Sequence, residues 1–348
     1  MDSLDKNELN GFIVIDKPVG PTSHQIDSWV RDLTGETRVG HAGTLDPNVS
    51  GVLVMALGKA TKLIDIIHEK PKEYVAVMRL YTYAGKDIIN NVFKEFTDKI
   101  YQLPPVRSAV ARELRERKIY NMDILEIKDK LILFSVKCES GTYIRTLCTD
   151  MGYVIGTGAQ MADLRRLSTG DFNENNMHTL QELSDAIVLK NSGDQSKFEN
   201  IFMPMDFVFK DKPKIIVKNT AVKNIENGSD IFPQGIKTVI GNPKKGDLVA
   251  VYTDNNELIA YGKMLVDEIN DLKVIDITGV LGDSYGKNNV VRKSNERKNI
   301  QIQKPGKKLH GNIRNAEKRK NTGNRRRTFG GYTGTKNNAP NLRKGKNK

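Results

Sequence analysis

The stretch GFIVIDKPVGPTSHQIDSWVRDL, residues 11–33, sets the structural pattern of the chain. Its first part is apolar and rich in β-branched residues, which predicts a strand that ends at the Lys17-Pro18 turn. Its second part carries apolar residues at helical spacing: Ile26, Trp29, Val30 and Leu33. Ser23 is the predicted N-cap of that helix. The stretch therefore predicts a strand, a loop and a helix in succession.

Similar patterns continue along the chain. GVLVMALGKATKLIDII, residues 51–67, predicts an apolar strand over 52–57 and a helix that begins near Lys59. Residues 72–81 and 130–139 are rich in β-branched and aromatic residues and predict two more strands, and 141–156 predicts a helix with glycine at both ends. Because strands outnumber helices without regular alternation, we expect an α+β fold with a mixed sheet.

A second folded unit is expected after MPMDFVFKDKP, residues 203–213. Short strands are predicted at 214–217, 248–252, 258–264 and 273–277, with polar turns between them. This spacing is typical of a small β-barrel of about seventy residues. The predicted organisation is a polar segment (1–10), a larger domain (11–207), the small barrel (213–285) and a tail (286–348).

The tail holds most of the positive charge. The chain has a net charge of +13, yet residues 286–348 hold 20 lysines and arginines against two acids, which leaves the remainder at −5. Few large apolar residues occur there, so we expect disorder. Such a tail attracts polyanions with a strong salt dependence. Arginine, glycine and aromatic residues interleave in NRRRTFGGYTG (324–334), as in RNA-binding segments, although a solubilising role is the alternative.

Cysteine and histidine usage limits the chemistry that the sequence predicts. The only cysteines are Cys138 and Cys148, which supports neither a disulfide framework nor a structural zinc site. The histidines outside the glycine-rich turn are scattered along the sequence: His24, His68, His178 and His310. We therefore expect no metal. With no apolar run near the roughly 18 residues of a membrane span, we also expect a cytoplasmic protein that does not bind membranes.

One carboxylate stands out in VGHAGTLDPNVSG, residues 39–51, where Asp46 lies in a glycine-lined turn. An Asp-Pro pair alone is an ordinary turn former. The surrounding glycines, however, would let a bulky ligand approach the backbone closely. KEY and GTYIR then supply Tyr74, Tyr143 and Arg145, which a sheet could bring to one cleft. These residues are the first candidates for a functional site.

Seven motifs stand in an order that is typical of one family: IDKPVGPTSH (15–24), GHAGTLDP (40–47), GVLVMALGKATK (51–62), KEYVAVM (72–78), PPVRSAV (104–110), SGTYIRTL (140–147) and LRRL (164–167). From about Gly11 to Gly282 the sequence resembles the tRNA pseudouridine synthase B family. Within it, the chain is similar to the archaeal dyskerin-like catalytic subunits of box H/ACA ribonucleoproteins. The resemblance implies a pseudouridine synthase catalytic domain followed by a PUA RNA-binding domain, although a β-barrel of another kind is the alternative for the second unit.

The resemblance implies a reaction and a catalytic residue. In the family, uridine in RNA is isomerised to pseudouridine without a cofactor, and the aspartate of the GTLDP motif, here Asp46, is catalytic. A carboxylate suits this reaction because breaking the C1′–N1 bond builds positive charge on the sugar. One carboxylate suffices, since uracil leaves as a stabilised anion. The sequence leaves open whether Asp46 attacks C1′ or removes the C2′ proton to give a glycal.

The resemblance also assigns the supporting residues. Tyr74 would stack on the flipped base, returning about 1–3 kcal/mol against an unstacking cost of a few kcal/mol. Arg145 would pair with a buried Asp46 and keep it ionised. The remaining assignments are a pocket aromatic (Tyr143), the apolar pocket floor (Leu164), a base-pocket histidine (His41) and a supporting lysine (Lys17). Without the resemblance, a half-buried strand tyrosine and a solvated helix arginine are equally ordinary interpretations.

Two substrate classes follow from the resemblance. Dyskerin-like members modify rRNA chosen by an H/ACA guide RNA, together with small H/ACA partner proteins, whereas stand-alone members modify uridine 55 in the T-loop of tRNA. Archaeal members do both, so we expect both. A non-catalytic RNA-binding scaffold of the same fold is the alternative. A glycosidase acting on small sugars is disfavoured, because no second carboxylate accompanies Asp46 in its motif.

Overall fold

The computed structural model describes residues 9–104, 111–269 and 272–282. The expectations for residues 1–8, for most of the PPVRSAV motif and for the basic tail lie outside these ranges. The elements of the larger part are β1 (Gly11–Lys17), α1 (Ser23–Thr34), β2 (Val39–His41), β3 (Ser50–Leu57), α2 (Ile64–His68), β4 (Lys72–Leu80), α3 (Lys86–Glu95), β5 (Asp98–Gln102), β6 (Arg115–Lys128), β7 (Leu131–Cys138), α4 (Ile144–Ile155), β8 (Ala159–Thr169), β9 (Phe172–Asn173), β10 (Met177–His178), α5 (Leu180–Asn191), α6 (Ser196–Ile201) and β11 (Met203–Pro204). The later part contains β12 (Lys214–Val217), α7 (Asn219–Glu226), β13 (Ile236–Ile240), β14 (Leu248–Tyr252), β15 (Leu258–Met264) and β16 (Ile275–Val280).

One large sheet organises the first part. Among the described residues it has eleven strands, in the order β10-β1-β3-β8-β4-β7-β6-β5, with β11 beside β1, β2 beside β3 and β9 beside β8. The pairs β1–β10 and β3–β8 are parallel, whereas β1–β3, β4–β8 and β4–β7 are antiparallel. The prediction of an α+β fold with a mixed sheet is therefore confirmed.

The central strands are buried on both faces. In β1, Ile13 and Ile15 pack into one apolar cluster, whereas Phe12 and Val14 pack into another on the opposite face. Side chains from α1, α4 and α5 cover the first face. Burial on both faces explains why β1 and β3 read as continuous apolar runs rather than alternating ones.

In the later part, the described residues form a five-stranded sheet in the order β13-β12-β14-β15-β16. It packs against the larger part: the Tyr261 hydroxyl donates a hydrogen bond to the carbonyl of Lys62 (2.9 Å), and Lys62 Nζ donates to the carbonyl of Val280 (2.6 Å). The predicted strands at 214–217, 248–252 and 258–264 are confirmed. The last strand begins at 275 rather than 273, and α7 and β13 were not predicted.

Two local predictions are wrong. The N-cap of α1 is Thr22, whose Oγ1 accepts from the Gln25 backbone N–H (3.1 Å) while Gln25 Oε1 accepts from the Thr22 N–H (2.8 Å). This reciprocal capping box leaves Ser23 free to turn inward. The helix expected near Lys59 is a 3₁₀ helix over Gly58–Leu63, followed by the short α2.

Candidate active site

The strand register places two of the candidate residues, Lys17 and Tyr74, in one row across the sheet. Lys17 of β1 pairs with Gly51 of β3, Gly51 with Arg166 of β8, and Arg166 with Tyr74 of β4. Directly paired residues project to the same face of a sheet. At Gly51, φ is +101°, and a Cβ there would lie 2.2 Å from the Arg166 carbonyl oxygen. Glycine is therefore required for β3 and β8 to approach so closely.

Asp46 lies in the segment between β2 and β3, which we call the Asp46 loop (residues 42–49). Lys17 supports this loop from below: its buried Nζ donates to the carbonyls of Pro18 (2.8 Å), Pro47 (3.3 Å) and Val49 (2.8 Å). Burial lowers the pKa of Lys17, the charge of Asp46 opposes this shift, and the charge of Arg166 adds to it. Lys17 therefore fixes the backbone that follows Asp46.

A second contact fixes the residue before Asp46. The buried Ser23 hydroxyl donates to the Leu45 carbonyl (3.0 Å) and accepts from the Leu45 N–H (2.9 Å). This pair of hydrogen bonds joins the first turn of α1 to the Asp46 loop, so the Asp46 backbone is held on two sides.

Arg145 and Asp46 form an ion pair between Nη2 and Oδ2, as the resemblance implies. Their side chains are 55% and 53% exposed, so the expectation of a buried Asp46 is wrong. A solvent-exposed pair contributes only about 0–1 kcal/mol to stability. The exposure leaves the carboxylate accessible to a substrate, and a substrate that covers the pair would strengthen it by excluding water.

Gln102 positions the start of α4, and thereby Arg145. Its side chain, 2% exposed, donates from Nε2 to the Tyr143 carbonyl (3.1 Å) and accepts at Oε1 from the Tyr143 N–H (2.9 Å). Tyr143 itself is half-buried at the N-terminal end of α4. Sequence reasoning missed Gln102, although it occupies an inward position of β5 two residues after the buried Ile100.

Arg166 connects Tyr74 to the Asp46 loop and was also missed. The guanidinium is buried and donates from Nε to the Val52 carbonyl (2.7 Å) and from Nη2 to the Gly43 carbonyl (2.8 Å), and the Arg166 backbone pairs with that of Tyr74 in the sheet. Burial raises the pKa of Tyr74, and Arg166 opposes that rise. The half-buried phenol is therefore neutral at physiological pH.

A third buried cation, Lys72, lies in the same region. It is 5% exposed and donates to the carbonyls of His68 and Lys70 and to Ser140 Oγ. Burial, with a further contribution from the charge of Arg166, lowers the pKa of Lys72 to about 8. Lys17, Lys72 and Arg166 thus give the described part of the site a positive interior, and such an interior favours an anion at its surface.

The remaining candidates have mainly positioning contacts. Leu164 is buried in the apolar cluster against which Tyr74 also packs. The His41 side chain is 8% exposed, with Nδ1 2.8 Å from Asp27 Oδ2 and Nε2 3.1 Å from Thr44 Oγ1. His24, one of the histidines that are scattered along the sequence, lies near His41 in the fold, with 5.1 Å between the two ring centroids.

In the ranges that the structure describes, no helix is both long and apolar enough to cross a membrane.

Family descriptions match most of the chain. The description "TruB family pseudouridylate synthase (N terminal domain)" matches residues 31–88 and 81–144, and "tRNA pseudouridylate synthase B C-terminal domain" matches 145–210. The description "PUA domain" matches 213–273. These three ranges include the larger part of the fold and most of the five-stranded sheet.

Archaeal relatives are similar over nearly the full chain. A Picrophilus torridus protein described as "Probable tRNA pseudouridine synthase B" is 63% identical, covering 98% of this chain and 99% of that protein. A Thermoplasma acidophilum protein with the same description is 50% identical, covering 99% and 93%. These two relatives extend over both parts of the fold.

Solved structures have the same architecture. The "Crystal Structure of a Cbf5-Nop10-Gar1 Complex" matches with a TM-score of 0.73 and 40% identity, over 79% of this chain and 85% of that one. The "Structure of H/ACA RNP bound to a substrate RNA containing 2'-deoxyuridine" matches with a TM-score of 0.72 and 36% identity, over 81% and 88%.

Proposed function

Because the chain belongs to the TruB family of pseudouridine synthases, we propose that Asp46 is the carboxylate with which it isomerises uridine in RNA. The observation that carries this assignment is the Arg145–Asp46 ion pair. The pair is accessible to solvent, and Lys17 holds the Asp46 loop by hydrogen bonds to the Pro47 and Val49 carbonyls. A carboxylate held in place and open to a ligand is what a reaction at a sugar carbon requires.

The chemistry needs one anion and no cofactor. The C1′–N1 bond breaks, and its electron pair leaves with uracil. The base turns, C5 forms the new bond to C1′, and the C5 proton is exchanged for one on N1. Asp46 assists either by attacking C1′ or by taking the C2′ proton, and both routes require it to be ionised. The guanidinium of Arg145 pairs with this carboxylate.

The buried cations contribute to the same step. Backbone carbonyls hold Lys17, Lys72 and Arg166, and the Ser140 hydroxyl also accepts from Lys72, so these cations are fixed before charge moves. Fixed positive groups stabilise negative charge as it develops, without reorganisation during the reaction. We therefore assign to these cations the support of the Asp46 carboxylate and of the departing uracil anion.

Tyr74 is the proposed stacking partner of the target base. It is half-buried and neutral, and it packs against the apolar cluster of the larger part. Stacking of a base on an aromatic ring contributes about 1–3 kcal/mol, which offsets much of the cost of removing that base from its helix. Leu164 and Tyr143 are assigned to the apolar wall of the pocket, and His41 to orientation of the Asp46 loop.

For substrates, we propose two modes in the cytoplasm: stand-alone modification of tRNA, and guide-directed modification of rRNA. The names of the Picrophilus and Thermoplasma relatives support the first. The similarity to a Cbf5 protein in complex with Nop10 and Gar1, and to an H/ACA ribonucleoprotein with substrate RNA, supports the second. We assign catalysis to residues 11–207 and RNA binding to the PUA domain, residues 213–285, and to the basic tail.

The deciding experiment compares Asp46→Asn with Asp32→Asn, a matched control at an exposed position of α1. Pseudouridine formation is measured on a tRNA transcript with the protein alone, and on an rRNA fragment with guide RNA and partner proteins. We expect Asp46→Asn to abolish product with both substrates while RNA affinity stays near wild type, and Asp32→Asn to change neither. Normal turnover by Asp46→Asn would overturn the assignment of Asp46. Binding without turnover by the wild type would favour the scaffold alternative.

A further inference from the structure

Three side chains of the first turns of α1 and the end of β2 form a compact group, which we call the His–Asp–His cluster: His24, Asp27 and His41. His41 Nδ1 lies 2.8 Å from Asp27 Oδ2 and 2.9 Å from Oδ1, and His24 Nδ1 lies 3.3 Å from Oδ2. One nitrogen or oxygen atom from each residue lies within 4.8 Å of the others. The fold creates this arrangement, since His41 is far from His24 in sequence.

We propose that the His–Asp–His cluster binds one divalent transition-metal cation of the Zn²⁺ type. Zinc binds histidine nitrogen and carboxylate oxygen at about 2.0–2.2 Å, so two ligands of one ion are separated by roughly 3.0–3.5 Å. The separations of Asp27 Oδ2 from the two ring nitrogens, 2.8 and 3.3 Å, are close to that range. Two imidazoles and a carboxylate are ligands that zinc prefers, whereas calcium and magnesium prefer oxygen ligands alone.

Two of the three ligands are fixed before a cation arrives. Asp27 is 7% exposed, and the His41 side chain is 8% exposed. His41 Nε2 lies 3.1 Å from Thr44 Oγ1, so the far side of the ring has its own hydrogen-bond partner. Such a second hydrogen bond orients a metal-binding histidine and leaves its other nitrogen directed at the ion.

The third ligand, His24, is open to solvent. The His24 side chain is 83% exposed, and it lies one helical turn from Asp27 on the same face of α1. Its ring centroid already lies 5.1 Å from that of His41. With three protein ligands and an open side, water completes the coordination of the ion.

The cluster adjoins the Asp46 loop without containing Asp46. Thr44, which contacts the His41 ring, lies within that loop two residues before Asp46. A cation held by His41 would therefore stiffen the start of the loop. The inference concerns binding alone, and its outcome is independent of whether Asp46 is catalytic.

The test uses the full-length protein, stripped of metals by a chelator, with ZnCl₂ as the titrant in calorimetry. We expect one zinc to bind per chain to the cluster, and the melting temperature to rise on binding. His24→Ala, which removes an exposed side chain, is expected to weaken that binding at least about tenfold, by analogy with the loss of supporting groups at metal sites. Asp27→Asn should weaken it similarly, whereas Asp32→Asn on the same helix should leave it unchanged.

A second readout identifies the ligands. Co²⁺ bound at a site with histidine and carboxylate ligands absorbs visible light, and we expect this absorption in the wild type and in Asp32→Asn but not in His24→Ala. The circular dichroism of each variant checks that it is folded. The proposal is overturned if the wild type binds no zinc, or if folded His24→Ala and Asp27→Asn bind zinc and Co²⁺ as the wild type does.

Discussion

Replacement of Lys17 by methionine tests how the backbone around Asp46 is held. Methionine has nearly the length of lysine and fills the same buried space, but it donates no hydrogen bond. The bond to the Val49 carbonyl (2.8 Å) is buried, so its loss leaves that oxygen unpaired at a cost of about 1–3 kcal/mol. The carbonyls of Pro18 and Pro47 are only partly buried, and water replaces their lost bonds at about 0.5–1 kcal/mol each.

A second effect reduces the stability lost with these three hydrogen bonds. Burial already lowers the pKa of Lys17, which means that holding its charge inside the protein has a cost that methionine removes. The net expectation is a loss of roughly 2–3 kcal/mol in the free energy of unfolding. The rate should fall more than stability suggests, because a displacement of about 1 Å in a reacting group costs on the order of 100-fold.

The assay pairs urea unfolding with single-turnover pseudouridine formation on a tRNA transcript. Lys86→Met, at the exposed first residue of α3, is the matched control and should change stability by no more than about 0.5 kcal/mol. If Lys17→Met unfolds at the wild-type urea concentration and reacts at the wild-type rate, then the three hydrogen bonds do not position the Asp46 loop and the argument fails.

Three further changes have expected outcomes. Burial raises the pKa of both Cys138 and Cys148 to about 12, so neither thiol should react with a thiol reagent at pH 8 until the protein unfolds. Fast labelling of the native protein would contradict this burial. Because the pKa of each thiol is higher in the folded than in the unfolded state, the contribution of these thiols to stability should be lost as the pH rises above 9. Arg145→Lys should slow pseudouridine formation at least about tenfold, since lysine lacks the planar guanidinium. The free energy of unfolding should change by less than about 1 kcal/mol, because the pair is exposed. An unchanged rate would argue against a role for the ion pair. Gly51→Ala should destabilise the protein by about 3 kcal/mol, because the new Cβ would lie 2.2 Å from the Arg166 carbonyl oxygen. Gly20→Ala is the control: φ is +119° and no atom lies within 4 Å of the new Cβ, so a thermal melt should show a loss of only about 1 kcal/mol.

The sequence predicted elements whose pattern is local and missed contacts that depend on distant residues. The strand at β1 and the helix at α1 follow from periodicity within their own residues. Ser23 and Thr22 can each cap a helix, and only the contact of Ser23 with Leu45 decides which side chain turns inward. That contact joins residues far apart in the chain, so no local pattern contains it.

In the site, too, local motifs are evident from the sequence and contacts between distant residues are not. Asp46 and Arg145 stand in recognisable motifs, but Gln102 and Arg166 act through strand positions that become evident only when the sheet is assembled. Each is a polar residue at an inward-facing position of a strand, and this irregularity is the signal that sequence reasoning could have used. His24 carries no such signal, because its proximity to His41 depends on how α1 packs beside β2.

The charges of the site are arranged asymmetrically, and this arrangement has a consequence for catalysis. The cations Lys17, Lys72 and Arg166 are buried and held by hydrogen bonds, whereas the carboxylate of Asp46 is half exposed. In water the carboxylate is stabilised mainly by solvent. When a nucleotide covers it, water leaves and the interaction with the fixed cations grows as the local dielectric falls. If Asp46 acts as proposed, these fixed cations need not reorganise when positive charge develops on the sugar.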